Sequence, residues 1–289
     1  MDSGLPADDH THTQFSWDAA FGDMEGSCRR AVDVGLPAVA FTEHLDFTVW
    51  NAPTGGWNWD EGIRGTYDDA VGPGGHGHFR GAPLDVDAYH AEIARCRDLF
   101  PELTIRSGVE VSEVHWHAED VQAVLSRGFD RVVGSVHTLD DLRVPGEVLL
   151  VDHAEDQRQP LDLFEAYLRQ VEDMVASDAP FEVLGHVDFP LRHWPATAGP
   201  SPWGRVEEQT RHVLGLLAAS GRVLEVNTSI PLDLRVVHWW HEAGGAAVSF
   251  GSDAHEPDRV GRRFREVSRA VAAAGFAVSG DPTAFWGRR

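Results

Sequence analysis

Lysine is absent from this chain of 289 residues: all 24 basic side chains are arginine. That excludes a Schiff-base lysine, a phosphate-loop lysine and a carboxylated lysine bridging two metal ions. Cysteine occurs only as Cys28 and Cys96, in segments read as separate helices and away from the histidine clusters. Two cysteines make no disulfide framework, and both are read as reduced bystanders. Positive charge is scarce against 46 acidic residues, leaving a net charge of −22. Such a balance opposes binding of long nucleic acid but leaves room for a local cationic site made of metal ions. No apolar run is long enough to span a bilayer, and the opening "MDSGLPADDH" carries no apolar signal core, so the expectation is a cytoplasmic chain without a membrane partner.

Histidine, by contrast, is plentiful, with 16 in the chain. In "ADDHTHTQFSWDA", residues 7–19, a strand over Asp8 to Thr13 would project His10 and His12 from the same face, as a chelating pair. Further short apolar, β-branched runs ending in polar residues are "LPAVAFTEHLD" (36–46), "LTIRSGVEVSE" (103–113), "FDRVVGSVHTLDD" (129–141), "FEVLGHVDFPLR" (181–192), "GRVLEVNTS" (221–229) and "GAAVSFGSDAHEPDRVG" (245–261). Helical periodicity separates them over 22–35, 87–100, 118–127, 160–177, 204–220, 233–243 and 257–274. In the fourth of these, Leu161, Phe164, Leu168, Val171 and Val175 recur at steps of three and four, one face of an amphipathic helix.

Alternating strand and helix predicts right-handed βα units around a parallel sheet, and seven repeats suggest a closed barrel. In such a barrel all strand C-termini share one rim. His10, His12, His44, Glu110, His137, His186, Asn227, Asp253 and His255 would then converge on one pocket, a pattern expected of a metal site.

The motifs H-T-H at 10–12, T-E-H at 42–44, G-V-E at 108–110, G-S-V-H at 134–137, G-H-V-D at 185–188, N-T-S at 227–229 and G-S-D-A-H at 251–255 together resemble the polymerase and histidinol phosphatase (PHP) superfamily. Within it the chain looks most like the histidinol-phosphate phosphatases, from about residue 8 to about residue 264. The resemblance implies an α/β fold, a distorted (β/α)7 TIM-like barrel forming a single domain over 1–289, with three divalent metal ions at the strand rim. It assigns one ion to His10, His12, Glu110 and Asp253, a second to Glu110, His137 and His186, and the third to Asp18, His44 and His255. Imidazole and carboxylate ligands suit zinc, iron or manganese alike, and availability often decides among them.

The implied reaction is hydrolysis of a small phosphate ester, with L-histidinol phosphate from histidine biosynthesis as the lead substrate. A nucleotide or short-oligonucleotide phosphoesterase of the same superfamily is the runner-up. An inactive metal-binding barrel and an amidohydrolase-like barrel are the minor alternatives; the second would want the missing lysine. Asp253 and His255 are the candidate catalytic residues, Asp253 as proton shuttle. Arg192 is a candidate phosphate clamp, because a guanidinium offers a two-pronged fork to phosphate oxygens, and Gln14 is a second candidate substrate contact.

Residues 48–85, rich in Gly, Pro and Trp, read as a long inserted loop, with Trp50, Trp57 and Trp59 suggesting a partly packed lid above the metals. Within it "GGHGHFRG" (74–81) lacks strand character; its H-x-H and the one in "VHWHAED" (114–120) are read as loop or rim positions. Trp194 and Trp203 bracket a turn-rich connection and are expected to pack, and the tail "SGDPTAFWGRR" is expected to be a final surface-packed segment rather than a separate domain.

Overall fold

The computed structural model describes residues 4–53, 62–68, 76–278 and 280–289. Seven parallel strands form the main sheet: β1 (Asp8–Thr11), β2 (Ala38–Leu45), β6 (Thr104–Ser112), β7 (Arg131–Ser135), β10 (Val183–Leu184), β11 (Val223–Asn227) and β12 (Ala247–Gly251), side by side in that order. These are the seven strands expected from the sequence. The sheet curls until its two ends meet at the rim: His12 N–H donates to Ala254 O and Asp253 N–H to His10 O, each at 2.8 Å. The first strand is shorter than expected, so His12 stands just beyond it.

Helices cover the outside of the sheet, as right-handed crossovers require. They are α1 (Met24–Val34), α2 (Val86–Leu99), α3 (Ala118–Leu125), α4 (Pro160–Ala176), α5 (Glu207–Ser220), α6 (Leu234–Glu242) and α7 (Phe264–Ala273). Helix α4 starts on a proline, whose missing N–H costs nothing in a first turn. It buries Phe164, Leu168, Val171 and Val175 as its periodicity requires, together with Tyr167 and Met174. Helix α7 starts later than expected because Pro257–Arg259 forms a separate short turn. Cys28 and Cys96 are free thiols buried in α1 and α2. Among the described residues no helix is long and apolar enough to cross a membrane.

One expectation is corrected. Region 48–85 holds strands where a loop was expected: β3 (Trp50–Pro53), β4 (Gly65–Asp68) and β5 (His76–Gly81) pair antiparallel. They join β8 (Thr138–Asp140) and β9 (Val148–Leu150) in a second sheet of order β4-β5-β3-β9-β8. Here "HGHFRG", His76–Gly81, acquires strand form from its partners, overriding weak local propensity. Trp17, Trp50, Ala52 and Phe79 form a small apolar core of their own beside this sheet. Trp57 and Trp59 lie outside the described residues. The tail packs on the edge of the barrel in strand form: β13 (Phe276–Ala277) and β14 (Trp286–Arg288) extend the main sheet beyond β12, and Trp286 is fully buried.

Candidate metal centre

The shared rim of the parallel strands collects the histidines and carboxylates. Glu110, near the end of β6, is central. Its Oε1 lies 2.7 Å from His186 Nε2 and 3.4 Å from His137 Nε2. Its Oε2 lies 3.3 Å from His10 Nε2, 3.4 Å from His12 Nε2 and 3.3 Å from His44 Nδ1. Each carboxylate oxygen thus faces a different set of imidazoles. Asp253 Oδ1 sits 3.8 and 3.4 Å from the Nε2 atoms of His10 and His12. Asp18 reaches over the rim from the loop after β1, placing Oδ2 3.3 Å from His44 Nε2 and 3.2 Å from His255 Nε2.

All nine sequence-derived ligand candidates therefore lie in one connected cluster. Three groups within it, His10 with His12 and Asp253, Glu110 with His137 and His186, and His12 with His44 and His255, each hold ligand atoms within 4.8 Å of one another. A fourth such group is His44, Asp46 and His137. Asp46 was missed in the sequence, although its place two residues beyond His44 on a strand exit was the available signal. Its Oδ2 accepts the Trp17 indole N–H at 2.6 Å.

The two candidate substrate contacts part company. Arg192 donates to Asp253 Oδ2 and lies over the Phe189 ring, inside the cavity. Gln14 turns away: its Oε1 accepts the Met24 N–H at 2.8 Å, capping the start of α1. Asp253 holds a left-handed backbone, φ 53°, a strained conformation for a non-glycine residue and one that functional sites concentrate.

A supporting layer orients the imidazoles. His10 Nδ1 lies 2.6 Å from Glu225 Oε1, and His137 Nδ1 2.7 Å from Ser112 Oγ. An acceptor on Nδ1, as the Glu225 carboxylate is for His10, leaves Nε2 turned to the centre for a cation, the arrangement that metal-binding histidines use. The Ser112 hydroxyl can accept from His137 in the same way. Ser135 donates to Glu110 Oε1 at 2.6 Å. Glu113, fully buried, accepts the amides of His137 and Thr138 at 2.7 and 2.8 Å, which fixes the chain where it leaves β7. None of these supports stands out in the sequence, because each is an ordinary polar residue whose role depends on a distant partner.

Several observations test whether cations fit. His10 and His12 oppose their Nε2 atoms at 3.1 Å, as do His137 and His186 at 3.3 Å. Two bare nitrogens so placed repel unless a proton or a cation lies between them. Asp18 Oδ1 and Asp46 Oδ1 are buried with no hydrogen-bond partner among the described residues, a costly state that a cation would relieve. Burial opposes ionisation of Asp18, but His44 and His255 outweigh it and hold its pKa well below the usual carboxylate range. Burial likewise disfavours charge on His10, yet Glu225, Glu110 and Asp253 raise its pKa well above the ordinary value. The centre thus draws positive charge in. Nitrogen and oxygen donors without thiolate fit zinc, iron or manganese.

The cluster forms the floor of a cavity of about 290 Å³, walled by Trp17, Trp50, Leu150, Phe189, Asp152 and His193. The described side chains of the other H-x-H pairs, His78, His115 and His117, stay off this floor. His78 pairs with Glu147 at 3.1 Å, and His117 Nε2 meets Thr48 Oγ1 at 2.9 Å. Burial pushes His115 down to about 4. The side chain of His76 lies outside the described residues. Trp203 is buried against Phe164 and Trp239, and the Trp194 indole donates to Gly199 O, both packing roles.

The model of the PHP domain matches residues 8–229. The histidinol-phosphatase of Lactococcus lactis subsp. lactis (strain IL1403) is 24% identical over 285 residues, covering 93% of this chain and 91% of its own length. The crystal structure of histidinol phosphate phosphatase from the same organism, complexed with zinc, L-histidinol and phosphate, has a TM-score of 0.73 to this chain at 22% identity, covering 96% of this chain and 98% of that one. The architecture is therefore shared, and the matched stretch carries all the rim strands except β12. This chain belongs to the PHP-domain family.

Proposed function

We propose that this protein is a metal-dependent phosphomonoesterase whose lead substrate is L-histidinol phosphate, hydrolysed to L-histidinol and inorganic phosphate. The observation that carries the reading is the placement of Glu110, with separate imidazole groups at its two oxygens. That arrangement supports a carboxylate shared between neighbouring ions. His10, His12, Glu110 and Asp253 would hold one cation, Glu110, His137 and His186 a second, and Asp18, His44 and His255 a third.

Bound divalent cations supply Lewis acidity that offsets the negative charge of a phosphoryl group and make water a usable nucleophile near neutral pH. The protein supplies the rest. Arg192 places its guanidinium beside Asp253, and its other N–H groups, which have no hydrogen-bond partner among the described residues, can fork onto phosphate oxygens. Asp253, through its carboxylate, accepts the proton lost by the attacking water, and His255, whose Nδ1–H donates to the Asp253 carbonyl at 3.1 Å and lies 3.7 Å from Oδ1, holds that residue in place. Trp17, Trp50 and Phe189 keep bulk water off the leaving alcohol. The relative crystallised with L-histidinol and phosphate supports a small phosphorylated substrate.

The test is phosphate release from L-histidinol phosphate, other small phosphomonoesters and mononucleotides, with protein loaded with zinc, manganese or iron. The expected result is a clear preference for L-histidinol phosphate, abolished by chelation and by His137→Ala. A preference for nucleotides would move the assignment to the runner-up, and no release with any metal would overturn it.

A further inference from the structure

The T-E-H motif contains a carboxylate that the metal centre does not use. Glu43 is completely buried on β2, between Thr42 and the ligand candidate His44, with its side chain turned away from the imidazoles. Its three partners are all uncharged and all belong to the loop after β1. Oε2 accepts the Thr13 N–H at 2.9 Å and the Ser16 hydroxyl at 2.6 Å, and Oε1 accepts the Thr13 hydroxyl at 2.6 Å.

Ser16, equally buried, then has its hydrogen bonds fully determined. A serine hydroxyl has one proton to give and two lone pairs to fill. The proton goes to Glu43, since Oε2 already accepts an amide N–H and as a carboxylate oxygen has nothing to donate. One lone pair accepts the His44 N–H at 3.0 Å. The other faces His12 Nδ1 at 3.0 Å. With the serine proton committed elsewhere, this last contact is a hydrogen bond only if His12 carries its proton on Nδ1. Nε2 of His12 is then bare, and it is this atom that faces Glu110 Oε2 and Asp253 Oδ1 at 3.4 Å each.

We propose that Ser16 and Glu43 are positioning residues that lock His12 in the Nδ1–H tautomer and so hold its Nε2 ready for a cation. Ser16 also ties the β1 loop to the backbone of His44, so one hydroxyl sets the tautomer of one ligand and the position of another. Arg64 secures the same loop from outside, donating to the carbonyls of Gln14 and Ser16. The logic parallels that of Glu225 on His10 but is one atom longer, with the serine inserted between carboxylate and imidazole. The proposal rests on the centre binding cations and is independent of which ester, if any, it hydrolyses.

Two measurements test it, neither of which reads turnover. NMR of protein with isotope-labelled histidine, loaded with zinc, reports which nitrogen of His12 carries a proton. A proton on Nδ1 is expected; a proton on Nε2, with zinc on Nδ1, overturns the proposal. The second measurement is zinc affinity by competition with a chelator. Ser16→Ala is expected to weaken it about 10- to 100-fold. Glu43→Gln is expected to preserve it: the amide oxygen can take the Oε2 role while the amide nitrogen donates to a reoriented Thr13 hydroxyl. If Glu43 acted by charge alone, the same variant would lose affinity as Ser16→Ala does, and that result would also overturn the proposal. Should Ser16→Ala fail to fold, the wild-type NMR result and Glu43→Gln decide the question.

Discussion

Glu225 grips two histidines of the centre at once: its Oε1 lies 2.6 Å from the ring of His10, and its Oε2 accepts the backbone N–H of His186 at 2.6 Å. One buried side chain on β11 therefore orients a ligand candidate from the first strand and anchors another beside it. Glu225→Ala is expected to lower zinc affinity about 10- to 100-fold, as loss of an outer partner to a metal-binding imidazole does. Chelator competition measures it; unchanged affinity would refute the role.

Gly251 opens the G-S-D-A-H motif with no room for a side chain, since a Cβ there would overlap Glu225 Oε1 and the His10 Cβ. Gly251→Ala must displace both, and overpacking of this kind costs about 1–3 kcal/mol. Chemical denaturation should report that loss, accompanied by weaker zinc binding; a variant as stable as the parent would contradict the close packing.

Stability should depend on pH without metal and much less with it. Burial disfavours charge on His44, but Asp18, Glu110 and Asp46 outweigh it and raise its pKa from 6.5 to about 10. A group raised in the folded state contributes stability that is complete below its unfolded value of 6.5 and fades as pH climbs towards about 10. Asp18, lowered against burial by His44 and His255, contributes above 3.8 and loses that contribution in stronger acid. Chelated protein should therefore melt at falling temperatures from about pH 6.5 to about pH 10. Zinc-loaded protein, with cations in place of those protons, should hold its melting temperature over the same range. Thermal scans of both forms check this, and parallel curves would count against it.

Arg192→Ala removes a donor to Asp253 and the proposed fork to phosphate. Hydrogen bonds to charged groups contribute about 1.5–3 kcal/mol, so kcat/KM should fall about 10- to 150-fold. Steady-state kinetics on the best substrate of the panel provide the measurement; unaltered kcat and KM would remove Arg192 from the reaction.

The tail should matter for stability. Trp286 meets Phe250 on β12, the strand that delivers Asp253, edge to face with ring centroids 5.0 Å apart. Trp286→Ala should cost about 3–5 kcal/mol in denaturant unfolding, as truncation of a buried aromatic side chain does; an unchanged midpoint would contradict the packing.

How far the sequence anticipates this depends on whether a residue's role is local. His44, Glu110 and His186 each end an apolar run, so strand pattern and rim position follow from neighbours in the chain, and His10 stands out through its H-x-H spacing to His12. Asp18 has no such run and was placed only by family resemblance. Ser16, Glu43 and Glu225 are invisible because their partners are set by the curl of the sheet, which no local pattern encodes. The second sheet escaped for a related reason. His76–Gly81 has two glycines and no regular alternation, and becomes a strand only because β3 and β4 supply its hydrogen bonds. The tail likewise gains strand form from the free edge of β12.

The pairing of Asn51 in β3 with Leu149 in β9 has a mechanical consequence. It sews two distant crossovers, one leaving β2 and the other leaving β7, into a single awning with footings on both sides of the basin. An awning pinned at two footings does not swing on one hinge. Cargo would then come and go sideways, along the open groove past Phe21 and Arg259 that runs down to Asp18 and His255.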